Sequence, residues 1–158
     1  MKYKLVAFWL IVFGALFAFL QMCFEYHFYY IEQSQLFLFS EAYIRNKLLL
    51  PGGFSMLVAE FLVQFFIRPY VGALVTAALL TGVGVCTAGI VKRIAPVSGL
   101  FILYVLPILA LLFMHFDFNY RVQGTVCYLM MMALLCGYMR IRNDLFRLVA
   151  GCVLVPVL

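Results

Sequence analysis

The stretch VGALVTAALLTGVGVCTAGIV, Val71–Val91, runs for 21 residues without Asp, Glu, Lys, Arg or His. As a helix rising about 1.5 Å per residue it is roughly 31 Å long, the thickness of a bilayer's hydrocarbon core. Three more windows share this character: Leu5–Phe24 with 20 residues, Val97–Met114 with 18 and Val122–Met139 with 18. All 11 basic and 6 acidic residues fall outside the four windows. A charge at mid-membrane costs roughly 2.5–3.5 kcal/mol on an insertion scale, which accounts for that segregation. Only a helix satisfies its backbone within one crossing segment, and nothing here alternates like a barrel strand. The reading is an all-α integral membrane fold with at least four transmembrane helices, over 5–24, 71–91, 97–114 and 122–139.

Composition agrees. Of 158 residues, 68% are hydrophobic and 11% charged, with a mean hydropathy of +1.13. A soluble domain averages about 45–50% apolar and about 25% charged. A small core cannot bury the difference, so lipid replaces water around this chain. Lys2, Lys4, Lys92, Arg93, Arg140, Arg142 and Arg147 share one side when the N-terminus is cytoplasmic. Glu25, Glu32, Glu41, Glu60 and Asp117 then lie on the other. The positive-inside rule selects that orientation. The net charge of +5 therefore reports topology, and the sequence holds no nucleic-acid readout motif. Met1–Lys4 and the run after it form an uncleaved first span, because no small-x-small cleavage site precedes Glu25.

At the other end, 148–158 is apolar but spans only about 16 Å as a helix, half a crossing. The 158 residues therefore read as one transmembrane helical domain, the N-terminal part of a longer protein, ending in a partial fifth span. Pro69 and Pro96 precede apolar spans, where a first-turn proline sacrifices no hydrogen bond. Pro107 lies inside one and should kink it. Ala73, Ala77 and Thr81, with Ala78, Gly82, Gly84 and Ala88 beside them, make the second span a close-packing helix at the centre of the bundle. Cys23, Cys86, Cys127, Cys136 and Cys152 have neither C-x-x-C spacing nor a nearby histidine, and read as unpaired buried thiols. Glu25-x-His27 and His115-x-Asp117 are solvated pairs rather than metal sites.

The informative segment is 25–68, placed at the outer face. Phe24, Tyr26, Phe28, Tyr29, Tyr30, Phe37, Phe39 and Tyr43 give it the profile of an interfacial belt. Ser40 can cap a helix over Glu41–Leu50, with Glu41 and Arg45 as an i,i+4 pair. Pro51-Gly52-Gly53 breaks the chain before a second amphipathic helix over Phe54–Ile67. Glu60, Gln64 and Arg68 recur every four residues and so share one face. That lane meets either water at the membrane surface or, with Glu32 and Gln33, a polar cavity between helices.

The ordered strings YIEQSQLFLFS (Tyr30–Ser40), PGGF (Pro51–Phe54), EFLVQFF (Glu60–Phe66) and PYVGA (Pro69–Ala73) resemble an uncharacterised family of long bacterial inner-membrane proteins. The resemblance covers about Leu5–Lys92 and implies a multi-pass inner-membrane protein. A more distant similarity is to the GT-C membrane glycosyltransferases, with a cytoplasmic N-terminus, a first span and an outer loop bearing an acid near its start. It implies that Glu32 acts as a general base or metal-binding acid toward a lipid-linked sugar; the polar lane itself offers Gln33, Glu60, Gln64 and Arg68 as binding residues. Glu32-Gln33 departs from the usual Asp-containing pattern. The alternative is a non-catalytic scaffold or transporter subunit. No cofactor, protein partner or resident metal is indicated; the bilayer is the partner the composition implies.

Overall fold

A computed structural model describes residues 2–94 and 101–141 of the chain. Among them every regular element is a helix: α1 (Lys2–Ser34), α2 (Glu41–Leu48), α3 (Gly53–Val63) continued by a 3-10 turn (Gln64–Ile67), α4 (Val71–Ile94), α5 (Phe101–Met114) and α6 (Val122–Tyr138). Two helices, α1 and α4, are long and apolar enough to cross a membrane by length and composition. α5 and α6 are apolar but shorter, at 14 and 17 residues. The expected partial span 148–158, and with it Arg142, Arg147, Pro96 and Cys152, lie outside the described residues.

α4 is the central helix and packs against α1, α5 and α6. Small side chains make that possible. Ala73 and Ala77 are completely buried, and a Cβ on Gly84 would stand 2.5 Å from Ile108 and 2.7 Å from the Trp9 ring. Helices that lack a hydrophobic drive between them associate through such close backbone approach. Thr81 and Thr87 return their hydroxyls to the carbonyls of Ala77 and Val83 at 2.7 and 2.8 Å, so neither leaves a polar atom stranded. Leu16, Leu20, Phe24, Phe28 and Ile31 of α1 complete the core with Val63, Phe66, Ile108, Val122 and Val126. Large apolar side chains elsewhere on α1 and α5 stay exposed, among them Leu10, Ile11, Ile102 and Phe113.

Pro107 sits within α5, which runs through it as one element. A backbone break lies in α1, at Phe24 (φ −126°, ψ 15°), where the first apolar window ends. Beyond it the chain stays helical to Ser34, which places Glu32 on the last turn of α1 rather than in a loop. Arg68 to Val71 then forms a turn, with the Val71 amide donating to the Arg68 carbonyl at 3.2 Å. Pro69 sets its first central residue and Tyr70 takes a left-handed φ of 69° at its second, the arrangement of a type II turn.

Candidate functional site

Residues 35–67 fold into an elbow, and its joints follow from the sequence. Ser40 caps α2 as expected, accepting from the Tyr43 amide at 3.3 Å, a contact of a kind typically worth about 1 kcal/mol. Gly52 carries a left-handed φ of 71°. A Cβ on Gly53 would stand 1.9 Å from the Lys47 carbonyl oxygen, so α3 starts against the end of α2 only because Gly53 lacks one. The elbow brings Tyr43 and Lys47, four residues apart on α2, against Glu60 of α3.

Glu60 is held by both oxygens. The Lys47 ammonium pairs with Oε1 at 2.7 Å, and the Tyr43 hydroxyl donates to Oε2. Lys47 also approaches the Met56 sulfur at 3.0 Å and lies 5.3 Å from the centre of the Tyr43 ring. Burial, followed by the hydrogen bond to Glu60 and its negative charge, pushes the Tyr43 phenol up to about 12. The ion pair among the described residues is this one; Glu41 and Arg45, expected to pair, are exposed. Gln64 donates its amide to the Phe37 carbonyl at 2.9 Å. The Phe37 ring meets Phe39, Tyr43 and Phe61 edge-on at 4.9, 5.9 and 5.9 Å. An aromatic cover thus closes one flank of the clasp.

Beside the clasp lies a polar cleft of about 300 Å³. Tyr43, Lys47 and Glu60 line it with Ser34, Gln35 and two residues from the start of α6, Arg121 and Gln123. Arg121 is exposed at the N-cap position of α6. The lining offers the Arg121 guanidinium, two hydroxyls and two amides beside a carboxylate already neutralised by Lys47, a set suited to an anionic or polyhydroxylated group.

The expected site residues separate. Glu60 lines the cleft and Gln64 secures its aromatic cover. Glu32, half-buried at the end of α1, and Gln33, exposed next to it, are not among the lining residues. Arg68 leaves the lane, because the 3-10 turn at Gln64–Ile67 changes the angular spacing and Arg68 itself is extended (φ −84°, ψ 134°). It lies with Gln21 and Glu25 in a separate recess against Phe28 and Phe66. Tyr43, Lys47, Arg121 and Gln123 are the cleft residues that spacing did not single out.

The histidines are not solvated, as their interfacial placement suggested, but buried, at 6% exposure for His27 and 2% for His115. His115 shares a 3.0 Å hydrogen bond with the Thr125 hydroxyl. Burial, with a smaller contribution from His27, pushes it down from 6.5 to about 4, so it is neutral at physiological pH. Among the described residues no three His, Cys, Asp or Glu side chains converge on a metal-sized site. The four described cysteines are free thiols, but none is fully buried: Cys23 is exposed, and Cys86, Cys127 and Cys136 are half-buried.

The molecule is thus an all-helical protein in which a small-residue helix centres a bundle and a clasped elbow flanks a polar cleft. The chain belongs to a family of unknown function (DUF6057), whose profile matches residues 1–158. No curated protein and no solved structure matches it.

Proposed function

We propose that this is a multi-pass protein of the bacterial inner membrane, with a cytoplasmic N-terminus, that receives the polar headgroup of a lipid-linked sugar in the cleft at the outer face. The observation that carries the reading is the cleft itself: Lys47, Arg121, Tyr43 and Gln123 around a neutralised carboxylate, beside the apolar helices. Four crossings, over 5–24, 71–91, 97–114 and 122–139, are part of the proposal. Its support is the exclusion of all charges from those windows and the many large apolar side chains left exposed. A phosphate is met by Arg121, and sugar hydroxyls by Ser34 and the amides. The transferase form of this reading needs Glu32, which stands outside the cleft lining on the last turn of α1, two residues before Ser34, to reach the bound sugar as general base or metal-binding acid. A second, non-catalytic reading is favoured by Glu60: with both oxygens engaged, it braces the elbow rather than awaiting a proton.

The test is complementation of a chromosomal deletion by full-length Glu32→Gln, Glu60→Gln and Arg121→Gln, with membrane yield measured in parallel. Normal yield with lost complementation by Glu32→Gln and Arg121→Gln is the expected result for the transferase. Reduced yield confined to Glu60→Gln assigns that residue to bracing. Full complementation by Glu32→Gln and Arg121→Gln removes both catalysis and headgroup binding from this segment.

A further inference from the structure

A second cleft opens at the opposite end of the bundle, and its chemistry differs from the first. It lies between the start of α1 and the ends of α4 and α6, and encloses about 650 Å³. Val6, Trp9, Val85 and Ala133 contribute to an apolar wall, while Lys92 and Arg140 bring two cations and no acid among the described residues lines it. Arg93, next to Lys92, is turned to the Met139 carbonyl at 2.6 Å and ties α4 to α6 there. Lys92 holds its ammonium 5.8 Å from the centre of the Tyr104 ring, within range of a cation–π contact. The volume is within the usual range of a ligand pocket, roughly 300–1,000 Å³. Gly137 adds a further mark of open space, since a Cβ built on it meets nothing within 4 Å.

We propose that this cleft binds an anionic phospholipid, with Lys92 and Arg140 meeting its phosphate and the apolar wall taking its acyl chains. Charge complementarity selects that occupant. A zwitterionic lipid would bring a further cation beside its phosphate, and a free anion would leave the wall empty. The inference rests on the membrane reading above, under which this end is cytoplasmic, where anionic headgroups attract basic residues next to a span.

The experiment uses the full-length protein in mild detergent, titrated with phosphatidylglycerol or phosphatidylcholine and read by native mass spectrometry. Phosphatidylglycerol should be retained preferentially. Its affinity should fall roughly tenfold or more in Lys92→Gln/Arg140→Gln, given about 1 kcal/mol per basic residue near an anionic surface. Gly137→Leu should displace the lipid by filling the space without removing charge, and Arg45→Gln, an exposed cation on α2, should change nothing. A readout on the unaltered protein guards against misfolded variants: Cys86 and Cys136 line the cleft, so phosphatidylglycerol should slow their alkylation more than phosphatidylcholine does. Equal retention of the two lipids, or equal alkylation rates, overturns the proposal. So does displacement by millimolar inorganic phosphate, which would make this a free-anion site. Alkaline carbonate extraction separates the two claims. A protein released from membranes contradicts the membrane reading, whereas one retained without lipid preference contradicts only the cleft assignment.

Discussion

The bundle and the elbow are stabilised by different means. Around α4 the contacts are made by what is missing: Ala73, Ala77 and Gly84 let α1 and α5 approach until Trp9 and Ile108 fill the space. In the elbow the contacts are made by polar groups reaching across chain separations of 13 to 27 residues, Lys47 and Tyr43 to Glu60 and Gln64 to Phe37. The first tolerates loss of bulk and resists its addition. The clasp of the second is weakened when one partner is deleted, while its Gly53 joint resists bulk as the bundle does. Away from that joint, substitutions of the two kinds should therefore rank oppositely in the two regions.

The largest effect is expected from Gly53→Ala, although it adds one carbon. Its Cβ would collide with backbone rather than with a side chain able to move, and the elbow should lose roughly 3 kcal/mol, the upper range for overpacking. Ala77→Leu comes next, at roughly 2–3 kcal/mol for bulk forced into a fully packed seam. Leu79→Ala on the same helix, at a partly buried position, should cost less. Folded yield after extraction, with reversible unfolding in mixed micelles, ranks the three. Equal yields for Ala77→Leu and Leu79→Ala would remove the close-packing account.

The clasp should respond more mildly. Its side chains keep 24% and 12% exposure at Lys47 and Glu60, so solvent screens the pair and Coulomb attraction contributes little. Hydrogen bonds to a charged group remain, and Glu60→Gln should cost roughly 1–2 kcal/mol. A double-mutant cycle with Lys47→Met isolates the coupling, and a coupling energy near zero would mean the two side chains are neighbours without being partners.

These two regions were not equally legible. α4 could be placed, and made central, from the small residues of Val71–Val91, because close helix approach demands small side chains whatever the partner. Ser40 and Pro51-Gly52-Gly53 likewise marked the joints of the elbow, since caps and turns are local chemistry. The clasp was hidden. Tyr43 read as one more belt aromatic, and Lys47 meets Glu60 only because the turn at Gly52 and the close approach at Gly53 fix the register of α3 on α2. The lane of Glu60, Gln64 and Arg68 assumed a continuous α-helix. The 3-10 turn carried Arg68 away, a deviation that four-residue spacing does not reveal. His27 and His115 were misread as solvated because their burial depends on α1 continuing past Phe24 and on the 115–120 turn folding back onto α6.

Near neutrality the smallest expected effect is that of a proton, and it belongs to that turn. His115 binds its proton near pH 4 when folded and near 6.5 when unfolded, so the unfolded chain holds more protons between those values. Stability from this group is complete above about pH 6.5 and is lost progressively as pH falls toward 4. His115→Gln should flatten that part of the profile, and an unchanged slope in the variant would assign the acid sensitivity elsewhere.

On the proposed topology the two clefts face opposite sides of a membrane. Topology reporters fused after Gln35 and Asn119, and after Arg93, measure this. An outer-face signal is expected from the first two sites and a cytoplasmic signal from the third; a cytoplasmic signal at Gln35 would put both clefts on the same side and overturn the topology.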